Sequence, residues 1–162
     1  MAGVSELLLE YKPSFMGKPI QYKSCFISYS TRDDEFVTRL HADLYAAGIR
    51  AWYAPHDLEI GARIRDTLDE SIAVHDKLLL VLSAASVRSQ WVEQEVETAL
   101  RRERQEARSI LFPIRIDDAV MTVSYGWAAY VRNTRNIGDF TEWSDGRAYD
   151  AALRRVVRDL RS

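Results

Sequence analysis

In the stretch SVRSQWVEQEVETAL, Trp91 and Glu95 set an indole and a carboxylate four residues apart. On a helix such residues share a face, whereas Glu93, two residues from the indole, projects from a different side. A carboxylate in that place could offset a positive charge while the indole walls off water. The same pair also fits an ordinary packed helix: a tryptophan at a helix start turned into the core, and a glutamate with Arg101 and Arg102 nearby on a solvated face. Spacing alone leaves both readings open.

The elements that must carry this pair come from the apolar patterning. From Lys23 onward short apolar runs alternate with amphipathic ones, SCFISY, DDEFVTRLHADLYAAG, IRAWY, GARIRDTLDESIAV, KLLLVLS, RSQWVEQEVETALRRERQ, SILFPIRI, NIGDF and RAYDAALRRVVRDLR, an alternation of expected strands and helices. Phe36, Leu40 and Leu44 recur at helical spacing; Asp33 or Asp34 suits that helix's start and Gly48 its end. KLLLVLS and ILFPI are continuously apolar, as strands covered by helices on both faces require. The expected fold is therefore α/β, a doubly wound, mostly parallel sheet. Ligands in such folds sit at the carboxyl ends of strands, which are expected just after Tyr29, Tyr53, Ser83 and Arg115. Residues 1–22, with two prolines, two glycines and the apolar triplet Leu7 to Leu9, read as a leader or linker, or as the end of an upstream module.

Composition narrows the function classes. A chain of 162 residues with 47% hydrophobic and 28% charged residues suits one folded domain, and a net charge of −2 with interspersed signs disfavours tracking of nucleic-acid phosphates. The lone Cys25 has no internal disulfide partner and reads as a small buried residue, and His41, His56 and His75 lack a metal-ligand spacing. No apolar run approaches the ~18 residues of a membrane span, and no signal-peptide pattern opens the chain; a cytoplasmic location without membrane attachment is expected. The phosphate-cradling and nucleophile motifs G-x-G-x-x-G, the Gly-Lys-Ser/Thr loop and G-x-S-x-G are missing from the sequence.

Three boxes in register, CFISYSTRDDEFV, GIRAWYAPHDLEIGARIRDTLDESI and LLLVLSAASVRSQWVEQEV, resemble the Toll/interleukin-1 receptor (TIR) domain family over residues 23–162, with its NAD-cleaving bacterial type the nearest pattern. The resemblance implies a flavodoxin-like, five-stranded sheet. It also implies that Glu95, in the pattern Trp-x-x-x-Glu, cleaves the nicotinamide-ribose bond of NAD, which is substrate rather than cofactor. Nicotinamide leaves a cationic ring as a neutral molecule and needs no proton, so one carboxylate can serve where ordinary glycosides need two. In a dry site its charge stabilisation is worth about 2–4 kcal/mol.

The same resemblance implies substrate contacts from Tyr29, Ser30, Trp52, Arg63, Ser86 and Trp91. Structural alternatives stand beside these: Tyr29 packed under a loop, Arg63 solvated and Ser86 capping the following helix, while alternation allows only one of Trp52 and Tyr53 to point at the core. The loop Pro55, His56, Asp57, Leu58, Glu59, Ile60 and Gly61 is expected to be an interface for TIR-TIR self-association that completes a neighbour's site, with an upstream sensor as a further partner. Prokaryotic anti-phage signalling is the implied setting. A noncatalytic adaptor docking through the same loop is the alternative, and a nucleoside deoxyribosyltransferase-like enzyme fits the first two boxes poorly. Val92 stands where the enzymes often have cysteine, and residues 117–133 match no box.

Overall fold

The computed structural model describes residues 24–55 and 76–162, without the side chains of Ala54 and Pro55. The leader 1–22, His56 to Gly61, Arg63 and the helix expected over GARIRDTLDESIAV lie outside the described residues. In chain order the described elements are β1 (Ser24–Tyr29), a 3-10 turn (Thr31–Asp33), α1 (Asp34–Ala46), β2 (Arg50–Pro55), β3 (Lys77–Leu82) and α2 (Gln90–Glu106). Then come β4 (Leu111–Arg115), α3 (Ala119–Thr122), α4 (Gly126–Thr134), β5 (Gly138–Asp139) and α5 (Gly146–Arg161).

The strands form one sheet in the order β2-β1-β3-β4-β5, and its four pairings are all parallel. This is the expected flavodoxin-like order, in which the chain reverses direction between β1 and β3. Both sheet faces are covered. Cys25, Ile27, Leu79 and Val81 pack against Phe36, Leu40 and Leu44 of α1 and Tyr149, Val156 and Leu160 of α5. On the other face Phe26, Leu78, Leu80 and Leu82 meet Val92, Val96 and Ala99 of α2 together with Val120, Ala128 and Val131. All six residues of β3 are buried, which is why that run shows no alternation. Full burial of each leucine is worth about 1.5–3 kcal/mol, so the two layers carry much of the stability.

Local chemistry sets the element ends. Gly48, at φ +84, takes the left-handed conformation after α1 while the Ile49 amide donates to the Leu44 carbonyl at 2.9 Å. The end of α2 uses the same conformation without a glycine: Ala107 sits at φ 53 and ψ 42. The strand expected over NIGDF contracts to two residues at the sheet edge, where a Cβ on Gly138 would lie 2.9 Å from Cγ2 of Ile114. Among the described residues no helix is long and apolar enough to cross a membrane.

Glu103, near the end of α2, fastens that helix to the sheet. Its carboxylate accepts from the amides of Ile110 and Leu111 at 2.8 and 2.9 Å and from both terminal nitrogens of Arg135. Burial alone would raise its pKa, but the Arg135 bond and the two amides outweigh it and lower the value below that of an ordinary glutamate.

Two outcomes follow. Ala107→Gly relieves left-handed strain and raises unfolding free energy by about 0.5–1 kcal/mol in urea titrations. A glutamate with a lowered pKa contributes stability above its unfolded value, lost as pH falls through the folded one. The stability gap between wild type and Glu103→Gln should therefore narrow as the pH of the melt is lowered from neutrality to below the ordinary glutamate range.

Candidate functional site

Because β1, β3 and β4 run parallel, their carboxyl ends collect along one edge of the sheet, and the crevice between β1 and β3 opens there. Alternation along β1 sends Ser28 into the layer of Phe26 and α2, and its neighbours Ile27 and Tyr29 into the layer of α1 and α5. On α2, Val92, Glu95, Val96 and Ala99 form the buried stripe. Glu95 is thus a carboxylate carried inward among apolar residues, only 3% exposed, while Glu93 and Glu97 on the same helix are exposed. The Ser28 hydroxyl, itself fully buried, donates to Oε2 of Glu95. This pairing answers the cost of burying a charged group, because a carboxylate taken out of water needs a donor.

A second polar linkage spans the crevice above. Oγ of Ser83, just past β3, donates to Oδ2 of Asp33 at 2.5 Å, tying the end of β3 to the turn after β1. Ser83 and Ser86 close a reciprocal turn: the Ser83 amide donates to Oγ of Ser86 at 2.8 Å and the Ser86 amide to Oγ of Ser83 at 3.1 Å. Asp117, after β4, accepts from the amides of Ala84 and Ala119 at 2.7 and 2.9 Å. The loop that leads into α2 is held from three directions.

The expected contacts distribute as follows. Trp91, half-buried, packs on the margin of the apolar cluster that surrounds Glu95. Trp52 pairs with Phe26 and so faces the same layer, 43% exposed, with the Arg50 guanidinium 5.3 Å from its ring. Tyr53 faces the other layer and is 42% exposed, its ring 4.6 Å from His41 and 5.7 Å from Tyr29. The two rings take opposite faces, as alternation requires, and because β2 is at the edge of the described sheet each lies half-open on its own face. Tyr29 is buried in the layer of α1, where its hydroxyl donates to Asp34 at 3.1 Å, so the structure does not bring its ring beside Glu95. Ser30 accepts from the Arg32 amide at 3.3 Å and caps the 3-10 turn.

The capping role expected for Ser86 belongs to Ser89, whose hydroxyl accepts from the Trp91 amide at 3.2 Å. Ser86 is committed three residues earlier, to the turn after β3. Asp33 stands at the N-cap of α1 but makes no side-chain cap bond there, its carboxylate being engaged by Ser83. Ser28, Ser83 and Asp117 were not among the expected site residues. A serine inside a buried apolar strand was the available signal, since a buried hydroxyl requires a partner. Cys25 is buried and its thiol is pushed up to about 12 by that burial, with the Leu79 backbone and Lys77 opposing. Among the described residues no group of three or more His, Cys, Asp or Glu side chains could hold a metal. A cavity of about 1060 Å³ runs along α5 and is lined by Lys77, Phe112 and Arg155 among others, on the sheet face away from Glu95.

Comparison with known proteins is consistent with this geometry. A family model described as TIR domain matches residues 25–157. The chain is 25% identical over 107 residues to NAD(+) hydrolase TcpA of Theionarchaea archaeon (strain DG-70-1), covering 65% of this chain and 32% of that protein. It is 26% identical over 98 residues to 2' cyclic ADP-D-ribose synthase BtTIR of Bacteroides thetaiotaomicron, covering 60% and 34%. The matched region is therefore about a third of the length of these relatives. The TIR domain of the Toll-related receptor TRR-2 from Hydra magnipapillata superposes with a TM-score of 0.62 at 18% identity, over 85% of this chain and 98% of that one.

Replacing Asp117 by alanine takes a charged acceptor from the Ala84 amide, in the loop that leads into α2, and from the Ala119 amide, at the start of α3. Unfolding free energy should fall by about 1–3 kcal/mol in urea titrations, with secondary structure by circular dichroism unchanged before the transition.

Proposed function

The chain belongs to the TIR domain family, and we propose that it is an NAD nucleosidase in which Glu95 drives cleavage of the nicotinamide-ribose bond. The observation that carries this reading is the burial of Glu95. Of the three acids in WVEQEVE it is the one that helical geometry carries inward, at the crevice where parallel α/β folds bind ligands. Relatives named NAD(+) hydrolase and cyclic ADP-ribose synthase support the substrate.

The chemistry balances with few protein groups. As the C–N bond breaks, its electron pair leaves with nicotinamide, which departs neutral, and positive charge develops on the ribose. Glu95 opposes that charge. In an enclosed, water-poor site the effect is worth about 2–4 kcal/mol. Capture of the ribosyl centre by water gives ADP-ribose and a proton, and capture by a nucleophile of the same NAD molecule gives a cyclic isomer. Trp91 and Trp52, on the same side of the sheet as Glu95, supply apolar walls for the sugar and the nicotinamide ring. Ser30 and Arg63 serve as polar contacts toward the ribose and pyrophosphate, while Ser86 and Tyr29, both buried and already bonded, hold the turn after β3 and the start of α1.

At 3% exposure Glu95 is nearly shut in, so substrate must open the crevice to reach it. Self-association through residues 55–61 provides the free energy for that opening, and an upstream sensor that crowds the chains sets it off in anti-phage signalling. Purified protein at high concentration should then release nicotinamide from NAD, as followed by chromatography. Glu95→Ala should bring release to background, while the exposed controls Glu93→Ala and Glu97→Ala stay within about twofold of wild type. Equal release from wild type and Glu95→Ala would overturn the assignment.

A further inference from the structure

We propose that Ser28 is the positioning residue for Glu95, orienting the carboxylate without cancelling its charge; this rests on the NAD-cleaving reading above. Ser28 occupies the most constrained place available to a donor. Its strand is paired on both sides, Ser28 with Ala54 of β2 and with Leu80 of β3, and the residue is fully buried. Glu95 approaches from the facing helix, and Ser28 Oγ donates to its Oε2 across the layer. Three side-chain torsions separate a glutamate's carboxylate from its backbone, and a fixed hydrogen bond at the tip removes most of that freedom.

The type of donor also matters. A lysine or arginine at position 28 would orient the carboxylate equally well, but its positive charge would oppose the charge that develops on the ribose. A neutral hydroxyl supplies direction and leaves the negative charge available. Val92, Val96 and Ala99, the rest of the buried stripe on α2, are apolar. Ser28 touches the acid rather than the substrate, and it acts through Glu95.

Positioning and packing make opposite predictions for two substitutions. Ser28→Ala removes the hydroxyl and is the easier to pack, whereas Ser28→Thr keeps the hydroxyl and adds a methyl to a full core. We expect kcat for nicotinamide release from assembled protein to fall about 10²-fold in Ser28→Ala, a typical loss for a misplaced catalytic group. KM should stay within about threefold, because substrate binding does not pass through this bond. Ser28→Thr should retain more kcat than Ser28→Ala, and Ser28→Cys, nearly the size of serine with a weaker donor, should fall between Ser28→Ala and wild type. The cysteine variant carries the comparison if the threonine variant does not fold by circular dichroism. Ser28→Ala with wild-type kcat, or with kcat above the variants that keep a donor, overturns the positioning role while leaving Glu95 in place. A wild-type protein that releases no nicotinamide at any concentration overturns the NAD-cleaving reading, and this inference with it.

Discussion

Strand β1 is hydrogen-bonded in parallel to β2 on one side and β3 on the other, and that double pairing constrains everything else in the molecule. Parallel neighbours cannot be joined by a tight turn, so each connection must cross a face of the sheet, and helices come to lie on both faces. The strand carboxyl ends then gather along one edge. At β1 and β3 the connections diverge, which opens a crevice at the centre of the sheet rather than at its margin. A side chain at the end of β1 is therefore rigid and central together, and Ser28 inherits both properties.

Helix α2 brings the acid to that point, and it is fastened at each end. At its start Ser89 caps the first turn, while Asp117 and the Ser83–Ser86 pair hold the approach loop. Near its end Glu103 grips the amides that open β4 and the guanidinium of Arg135. Between these anchors a stripe of small and branched apolar residues sits on the sheet with one carboxylate set among them. A helix free to slide by a residue would rotate that carboxylate by about 100° and out of the layer. The polar anchors thus fix the rotation as well as the position of α2.

Much of this was legible in the sequence. Continuous apolar runs announced a sheet covered on both faces, and β1 lies over the stretch SCFISY as read. The i+4 spacing singled out Glu95 from Glu93, and the structure buries the first and exposes the second. What could not be read were contacts between distant residues: Ser28 and Glu95 are 67 apart in sequence, Asp33 and Ser83 are 50 apart. Alternation tells that Ser28 and Tyr29 point to opposite faces, but which face holds α2 is decided by topology. Likewise SAASVRS offers three serines as helix caps, and the choice of Ser89 depends on where the turn after β3 finishes. Trp52 and Tyr53 stay half-open because β2 is an edge, a property of strand order that no local pattern encodes.

The buried Cys25 has a practical meaning. It is the chain's sole cysteine, and burial holds its thiol near 12, so at neutral pH almost none is the thiolate that alkylating labels need. A cysteine placed on the surface would be the one site to take a maleimide dye while the domain is folded, with the native residue left in place. Labelling at Cys25 itself would report the moments when the centre of the sheet comes apart, a clock for opening that needs no denaturant.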